Sequence, residues 1–274
     1  MNYKFLKDKV VIVTGASSGI GLATAVLFAS HDAKVVMAAR SIEKMETLRK
    51  ESPAADNMLC VKTDVSVEAD CKNLIDETVK RFGRIDILVN NAGISMRAMF
   101  NDLDLDVIRR LVDTNFWGTV YCTKYALPYL LESKGSVVGV VSIAGFIGLP
   151  GRTGYAASKF AIRGFLDTLR VEHRYDGLHV MVFAPGFTAS NIRNVALLAD
   201  GSPQGMTPRN EDKMMSAEKV AKKLARGLKS RKKEMVLTPT GKMTKFFDFY
   251  FPHFVEWAEY RMMAKEPDSP IKKK

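Results

Sequence analysis

The segment from Lys9 to Ala29 constrains this chain more than any other. Lys9–Thr14 (KVVIVT) is a short β-branched apolar run, the pattern of a buried strand. It leads into Gly15-Ala-Ser-Ser-Gly19-Ile-Gly21 and then Leu22–Ala29 (LATAVLFA), which reads as helix. Tight turns also use glycine clusters. Between a strand and a helix, though, a glycine turn lets the backbone approach a pyrophosphate, and the helix start offers free N–H groups and a positive dipole end. The spacing is G-x-x-x-G-x-G rather than the commoner G-x-G-x-x-G. The segment predicts an α/β sheet that binds a dinucleotide at its strand tips.

The alternation continues. A second strand, Lys34–Ala39, ends at Arg40. An arginine there can pair with a ribose 2′-phosphate, where an acid would hold a 2′-hydroxyl; this favours NADP over NAD. The plain alternative is a surface arginine ahead of the helix Ile42–Lys50. Strand Met58–Lys62 ends in Thr63-Asp64-Val65. Asp64 either bonds an adenine amino group or caps the helix near Val67–Phe82. Asp86–Val89 is a fourth strand, followed by Asn90-Asn91-Ala92-Gly93, small and amide residues that suit a ligand crevice. Repeated strand–helix units imply parallel strands joined by right-handed crossovers.

Asp106 to roughly Ser133 is a long helical pattern carrying Asn115, with Pro128 near its end. A lone polar residue there faces solvent or bonds a neighbour. Ser136–Val141 is the next core strand and stops at Ser142, which either stabilises a carbonyl oxygen or begins a turn. The following helix, to about Tyr175, carries Tyr155 and Lys159 one turn apart on one face. A free tyrosine titrates near pH ~10, and an ammonium beside it favours the phenolate. The pair predicts a proton-transfer device, although a tyrosine and a lysine four apart are common on helices. His179–Ala184 is a sixth strand, followed by Pro185-Gly186-Phe187-Thr188, and Glu234–Leu237 reads as the last.

The motifs TGASSGIG, NNAG, Asn115, Ser142, Tyr155-x-x-x-Lys159 and Pro185-Gly186 stand in the order and spacing of the short-chain dehydrogenase/reductase family. The chain resembles that family over roughly residues 8–240. The resemblance implies a single Rossmann-type α/β domain, doubly wound, with a seven-stranded parallel sheet, helices on both faces and a helical extension over residues 241–274. It implies a cofactor site of Gly15, Ser17, Ser18, Gly19, Ile20, Gly21, Arg40, Asp64, Val65, Asn91, Ala92, Gly93, Pro185, Gly186 and Thr188, joined by Tyr155 and Lys159. By the same likeness Tyr155 is the general acid/base, and Lys159 lowers its pKa and holds the nicotinamide ribose. Ser142 bonds the substrate oxygen, Asn115 holds a water that links Lys159 to solvent, and Thr188 contacts the carboxamide. Asn191–Ser202 and the basic helix near Ser216–Lys229 look like the dehydrogenase/reductase member 7 branch, related to 11β-hydroxysteroid dehydrogenases. That branch acts on steroids, retinoids and other lipophilic carbonyls.

The resemblance therefore predicts an NADP(H)-dependent enzyme interconverting a lipophilic ketone and a secondary alcohol. The alternatives are a 3-oxoacyl-thioester reductase, with Arg109 and Arg110 on its docking surface, or a nucleotide-sensing module without turnover. Such modules usually lose the tyrosine or lysine, and both are present here. The family likeness also predicts a homodimer or homotetramer through the long helices.

Composition adds bounds. At 274 residues and 47% hydrophobic, the chain fills a large core. The N-terminus enters a strand directly, so neither a signal peptide nor the branch's N-terminal membrane anchor is expected. Cys60, Cys71 and Cys122 lack metal or redox spacing and predict free thiols in the cytosol, with no metal. The net charge is +11, with eight basic residues and no acid in Lys219–Lys233 and a terminal Lys272-Lys273-Lys274. Such runs attract anionic membrane or nucleic acid, or form a solvated helix face and tail; no nucleic-acid-binding motif is present. Finally, Lys242–Ala264 packs eight aromatics into the fifteen residues Phe246–Tyr260. Read as helix around Pro252, apolar on one side, it is a lid over a lipophilic pocket, a peripheral membrane contact, or a packing element against the core or another subunit.

Overall fold

Successive residues of a strand face opposite ways, and here each face finds its own core. The computed structural model describes residues 2–188, 192–207, 214–266 and 269–271. Its strands are β1 (Val10–Thr14), β2 (Lys34–Ala39), β3 (Met58–Lys62), β4 (Ile87–Asn90), β5 (Ser136–Val140), β6 (His179–Ala184) and β7 (Glu234–Val236). They form one seven-stranded sheet in the order β3-β2-β1-β4-β5-β6-β7, and every pairing is parallel. The expected doubly wound Rossmann architecture is present.

The helices are α1 (Gly19–Ala29), α2 (Ile42–Lys50), α3 (Glu68–Phe82), α4 (Leu105–Leu111), α5 (Gly118–Glu132), α6 (Thr153–Glu172), α7 (Ala217–Lys229), α8 (Pro239–Tyr250) and α9 (Pro252–Ala264). On one side of the sheet, Ile12, Leu88, Val137 and Val182 pack with Leu74 of α3, Cys122 of α5 and Leu166 of α6. On the other, Val11, Val13, Met181 and Phe183 pack with Phe28 of α1 and Leu224 of α7. Full burial of one such side chain contributes roughly 1.5–3 kcal/mol.

Three expectations are corrected. The first nucleotide-site helix begins at Gly19, three residues earlier than its apolar run, so two of the motif's glycines lie in its first turn. The long helix 106–133 is not uniform: the segment Val112–Trp117, a π-helical turn, separates α4 from α5 and holds Asn115 fully buried. Such turns recur at functional sites because the wide turn re-aims side chains. The aromatic extension is two helices, not one. Pro252 has no N–H to continue the ladder, so α8 stops and α9 restarts with Pro252 at its first turn. Its aromatics do not form one buried side: Phe246, Phe249, Tyr250, Phe251, Phe254 and Trp257 are exposed, while Val255 and Met263 point inward.

Candidate active site

The chain leaves β1, builds β2 and β3 on one side, then crosses to β4 on the other, which opens a crevice at the tips of β1 and β4. Thr14 closes its floor. Its Oγ1 accepts from the N–H groups of Asn91 and Ala92, both at 3.0 Å, and donates to Val89 O at 3.4 Å. The Asn91 amide donates to Thr14 O at 2.9 Å and Gly15 O at 3.3 Å. Gly15 turns the chain here with φ +65°. Gly21 lies so close beneath that turn that a Cβ would stand 2.3 Å from Gly15 O and 2.6 Å from Asn91 Nδ2. The cradle is thus open backbone at a helix start, with Ser17 and exposed Ser18 above it; Ser18 precedes α1 and makes no capping bond. This donor-rich turn, with glycine at its closest approaches, fits a pyrophosphate.

Farther out, Arg40 is exposed past the end of β2, with no hydrogen bond or ion pair to another described residue in the hydrogen-bond and ion-pair geometry. Asp64 does not cap α3, whose N-cap is Val67. Instead its carboxylate accepts from the Ser66 N–H at 3.0 Å and Ser66 Oγ at 2.6 Å, while its own N–H donates to Asp70. Val65 is buried against α5, where a Cβ on Gly118 would come within 2.8 Å of it.

At the other end of the crevice, Ser142 follows β5 and accepts from the Ala144 N–H at 3.3 Å, so it does begin a turn. Tyr155 stands in the first turn of α6 and Lys159 one turn on. The Lys159 ammonium donates to Val140 O at 3.0 Å and lies 5.7 Å from the centre of the Tyr155 ring. Asn115 faces inward rather than to solvent: its amide donates to Ile94 O at 3.0 Å and Ser158 Oγ at 2.9 Å, and its oxygen accepts from the Ile94 N–H at 2.8 Å. Ser158 in turn donates to Tyr155 O at 2.8 Å. Asn115 and Lys159 meet at Gly93, where a Cβ would lie 2.9 Å from Asn115 Oδ1 and 3.3 Å from Lys159 Nζ.

The electrostatics depart from expectation. Lys159 was to make Tyr155 acidic. In the structure burial pushes the phenol above its ordinary value, and the forces opposing this come from the Ser142 side chain and the charge of Arg152. Burial also lowers Lys159 itself, to about 8, which leaves it mostly charged at neutral pH.

One cavity of about 570 Å³ gathers much of this. Ile20, Asn91 and Gly93 line it on the cradle side, and Ser142, Tyr155 and Lys159 line its inner wall. Pro185, Gly186 and Thr188 follow β6 into it. Leu149, Phe187, Ile192, Met215, Met262 and Met263 also line it, with Arg152, Arg193, Glu259 and Glu266 among them. Gly15, Ser17, Ser18, Gly19, Gly21 and Ala92 lie in the cradle beyond this cavity, and Asn115 stands behind its wall. Met262 and Met263 make α9 part of the cavity wall. Past α9, Glu266 pairs with Arg97 at 3.4 Å, both side chains almost fully buried.

The sequence reading missed four residues that shape the site. Thr14 joins the strand tips, and Ser158 joins Asn115 to α6. Arg193 donates to Thr188 O at 2.9 Å. Arg152, the residue before α6, donates to Met96 O. Ser158 and Arg152 were findable, since each lies three residues from Tyr155 in sequence. Among the described residues, no group of three or more His, Cys, Asp or Glu side chains stands together to hold a metal. No described helix is long and apolar enough to cross a membrane, and the three cysteines are free thiols.

A parallel sheet with a glycine cradle at its switch point, and a Tyr-Ser-Lys wall beside it, defines a dehydrogenase class. Residues 9–198 match the family described as short chain dehydrogenase, and the chain belongs to that family, as an oxidoreductase acting on CH–OH groups. Within it, the chain is 37% identical over 242 residues to dehydrogenase/reductase SDR family member 7B of Rattus norvegicus, covering 85% of this chain and 74% of that protein. It is 35% identical over 265 residues to 11-beta-hydroxysteroid dehydrogenase 1A of Arabidopsis thaliana, covering 92% and 74%. The expected branch is therefore the right one. A solved alcohol dehydrogenase from the archaeon Thermococcus sibiricus, complexed with 5-hydroxy-NADP, superposes with a TM-score of 0.73 over 84% of this chain and 96% of its own. At 22% identity that likeness shows the fold.

Proposed function

We propose that this protein interconverts a lipophilic ketone and its secondary alcohol with NADP(H) as the preferred cofactor. The observation that carries the reading is the convergence of Ser142, Tyr155 and Lys159 on one side of a largely apolar cavity, next to the glycine cradle. The cradle from Gly15 to Gly21, with Asn91 and Gly93, would hold the cofactor's phosphates and ribose, and Thr188 its carboxamide. When bound, the nicotinamide supplies or accepts the hydride. Tyr155 gives a proton to the substrate oxygen in reduction and takes it back in oxidation. Ser142 holds that oxygen by a hydrogen bond, while Asn115 and Ser158 fix the start of α6 so that the phenol is presented at one distance. Arg40 supports the NADP preference, as does the NADP derivative named in the structural neighbour. Names of relatives that refer to hydroxysteroids support a lipophilic substrate.

The same reading places the protein at a membrane surface, where such substrates dissolve, through the exposed aromatics of α8 and α9. It also expects a homodimer or homotetramer, to which Trp117, Phe160 and Val171, exposed on the long helical segments, are suited. The deciding experiment is a panel of hydrophobic ketones, alcohols and a β-ketoacyl thioester, followed by nicotinamide absorbance. Tyr155→Phe should lose at least about a hundredfold in kcat on the best substrate; full turnover by this variant would remove the proposed acid/base. In parallel, Arg40→Asp should weaken NADPH far more than NADH.

A further inference from the structure

We infer that Arg97 and Glu266 form a latch that holds the end of α9 against the loops where α6 begins, and so keeps the substrate cavity enclosed. The inference rests on the reading of this cavity as the substrate site.

The loop of residues 95–98 braces the walls of that cavity. Ser95 lines it. The Arg97 N–H donates to Leu197 O and the Leu197 N–H to Ser95 O, both at 2.8 Å, while the Ala98 N–H donates to Gly151 O at 3.1 Å. Arg152 donates to Met96 O as well. Gly151 and Arg152 lead directly into α6, so the loop steadies the turn that carries Tyr155. Met96 and Ala98 are buried in the small apolar cluster against which Tyr155 packs. Arg97 stands between them in sequence, with its side chain only 4% exposed. A guanidinium does not shed its proton, so a buried one needs a carboxylate.

That carboxylate comes from just past α9. Glu259, Met262 and Met263 recur at helical spacing on α9 and line the cavity. Glu266 follows in the next turn, its N–H donating to Met263 O at 3.2 Å. It lines the same cavity, and its carboxylate meets Arg97 at 3.4 Å. The pair has support from further along the chain. The Ser269 N–H donates to Glu266 O at 3.2 Å, and Ile271 is buried. Pro270 Cγ lies 3.1 Å from where a Cβ on Gly151 would stand. The residues after α9 are therefore seated on the junction of the Ala98 loop with the start of α6.

Moving α9 outward must part the pair. Either charge left alone in a dry interior carries a heavy penalty, whereas in an open cavity water takes up both. A pair placed here favours a closed wall or an open one over anything between.

Arg152 and Glu259 border the same cavity, so the test must isolate the pair from them. Arg97→Gln, Glu266→Gln and the double variant do so in the full chain. Ile271→Ser loosens the following segment without touching either charge. Amide hydrogen exchange of α9 should quicken by roughly tenfold or more in each single charge variant, and no further in the double variant than in the worse single, because the two charges act as one. Ile271→Ser should quicken it too. Exchange in β1 and α1 should stay at the wild-type rate, as should NADPH affinity by nucleotide fluorescence. On the best ketone of the panel, KM should rise by about tenfold with kcat changed far less, the signature of lost enclosure rather than lost chemistry. Wild-type exchange of α9 in Glu266→Gln overturns the latch. Equal quickening in β1 and α1 overturns it too, since the pair would then merely stabilise the whole fold. Single effects that multiply in the double variant overturn the pairing. Should Arg97→Gln fail to fold, Glu266→Gln and Ile271→Ser still decide. If no ketone or alcohol is turned over, the proposed function fails while the exchange result stands, so the two failures are distinguishable.

Discussion

Lys159 is an ammonium almost wholly buried in the fold, and such a group costs stability. Its pKa falls from 10.5 to about 8 on folding because burial disfavours the charged form. The sign follows from proton counting. Below pH 8 both folded and unfolded chains are charged, and the penalty is complete. Between 8 and 10.5 the unfolded chain binds more protons, so stability from this site rises with pH; above 10.5 the penalty is gone. The full penalty is on the order of 3 kcal/mol, offset in part by the bond to Val140 O, which is worth about 1 kcal/mol. Lys159→Met should therefore abolish turnover yet raise the stability of the cofactor-free protein at pH 7 by about 1–2 kcal/mol. Urea denaturation at pH 7 and pH 10 checks this: an equal difference at both values would show that burial of the charge is not the cause. At this scale the sequence singled out Tyr155 and Lys159, because their spacing stands in register with the other motifs of the family. It did not show their acidities. Those depend on burial, on the Ser142 side chain and on the charge of Arg152, none of which sequence spacing fixes.

Elements carry what single residues cannot. The strands were legible almost to the residue, since β-branched apolar runs bounded by glycine, proline and polar turns have few other fates. The π-helical turn Val112–Trp117 was not, because a helical period slipped by one residue looks like noise in a pattern read at 3.6 residues per turn. Yet that turn is what swings Asn115 inward to tie Ile94 at both its N–H and its carbonyl and to reach Ser158. Asn115→Leu, similar in size, would leave those buried groups without partners. It should cost about 2–4 kcal/mol of stability and lower kcat more than it raises KM, as expected if the amide fixes the start of α6. Denaturant midpoints with an unchanged slope, together with steady-state kinetics, test this; unaltered stability would mean that the three bonds hold nothing. The Pro252 break belongs to the same scale: the proline was visible, but not that α8 and α9 would share their residues between the cavity cover and solvent.

Across the whole molecule, charge and apolar surface are both displaced to the outside. The net charge is +11, and α8 and α9 turn Phe249, at 80% exposure, and Trp257, at 53%, to solvent. A basic protein with an aromatic face should settle on an anionic bilayer. Sedimentation with vesicles containing phosphatidylserine should capture the wild-type chain. Phe249→Ser/Trp257→Ser should bind at least about tenfold more weakly, since each ring buried in lipid contributes some 1.5–3 kcal/mol. Equal capture would remove the membrane reading and leave the charge alone as the attractant. The composition hinted at this face, but only the fold shows that it is the outer side of the cavity's own cover.

That cover hangs from the weakest margin of the sheet. β7 is three residues long, pairs only with β6, and passes within two residues into α8. Lys245 of α8 is paired back to Glu234 at the strand's start. Loosening that outermost strand therefore unseats the roof of the pocket while the nucleotide cradle, four strands away in the middle of the sheet, stays intact. Gentle warming should then open the cavity while the glycine cradle stays folded.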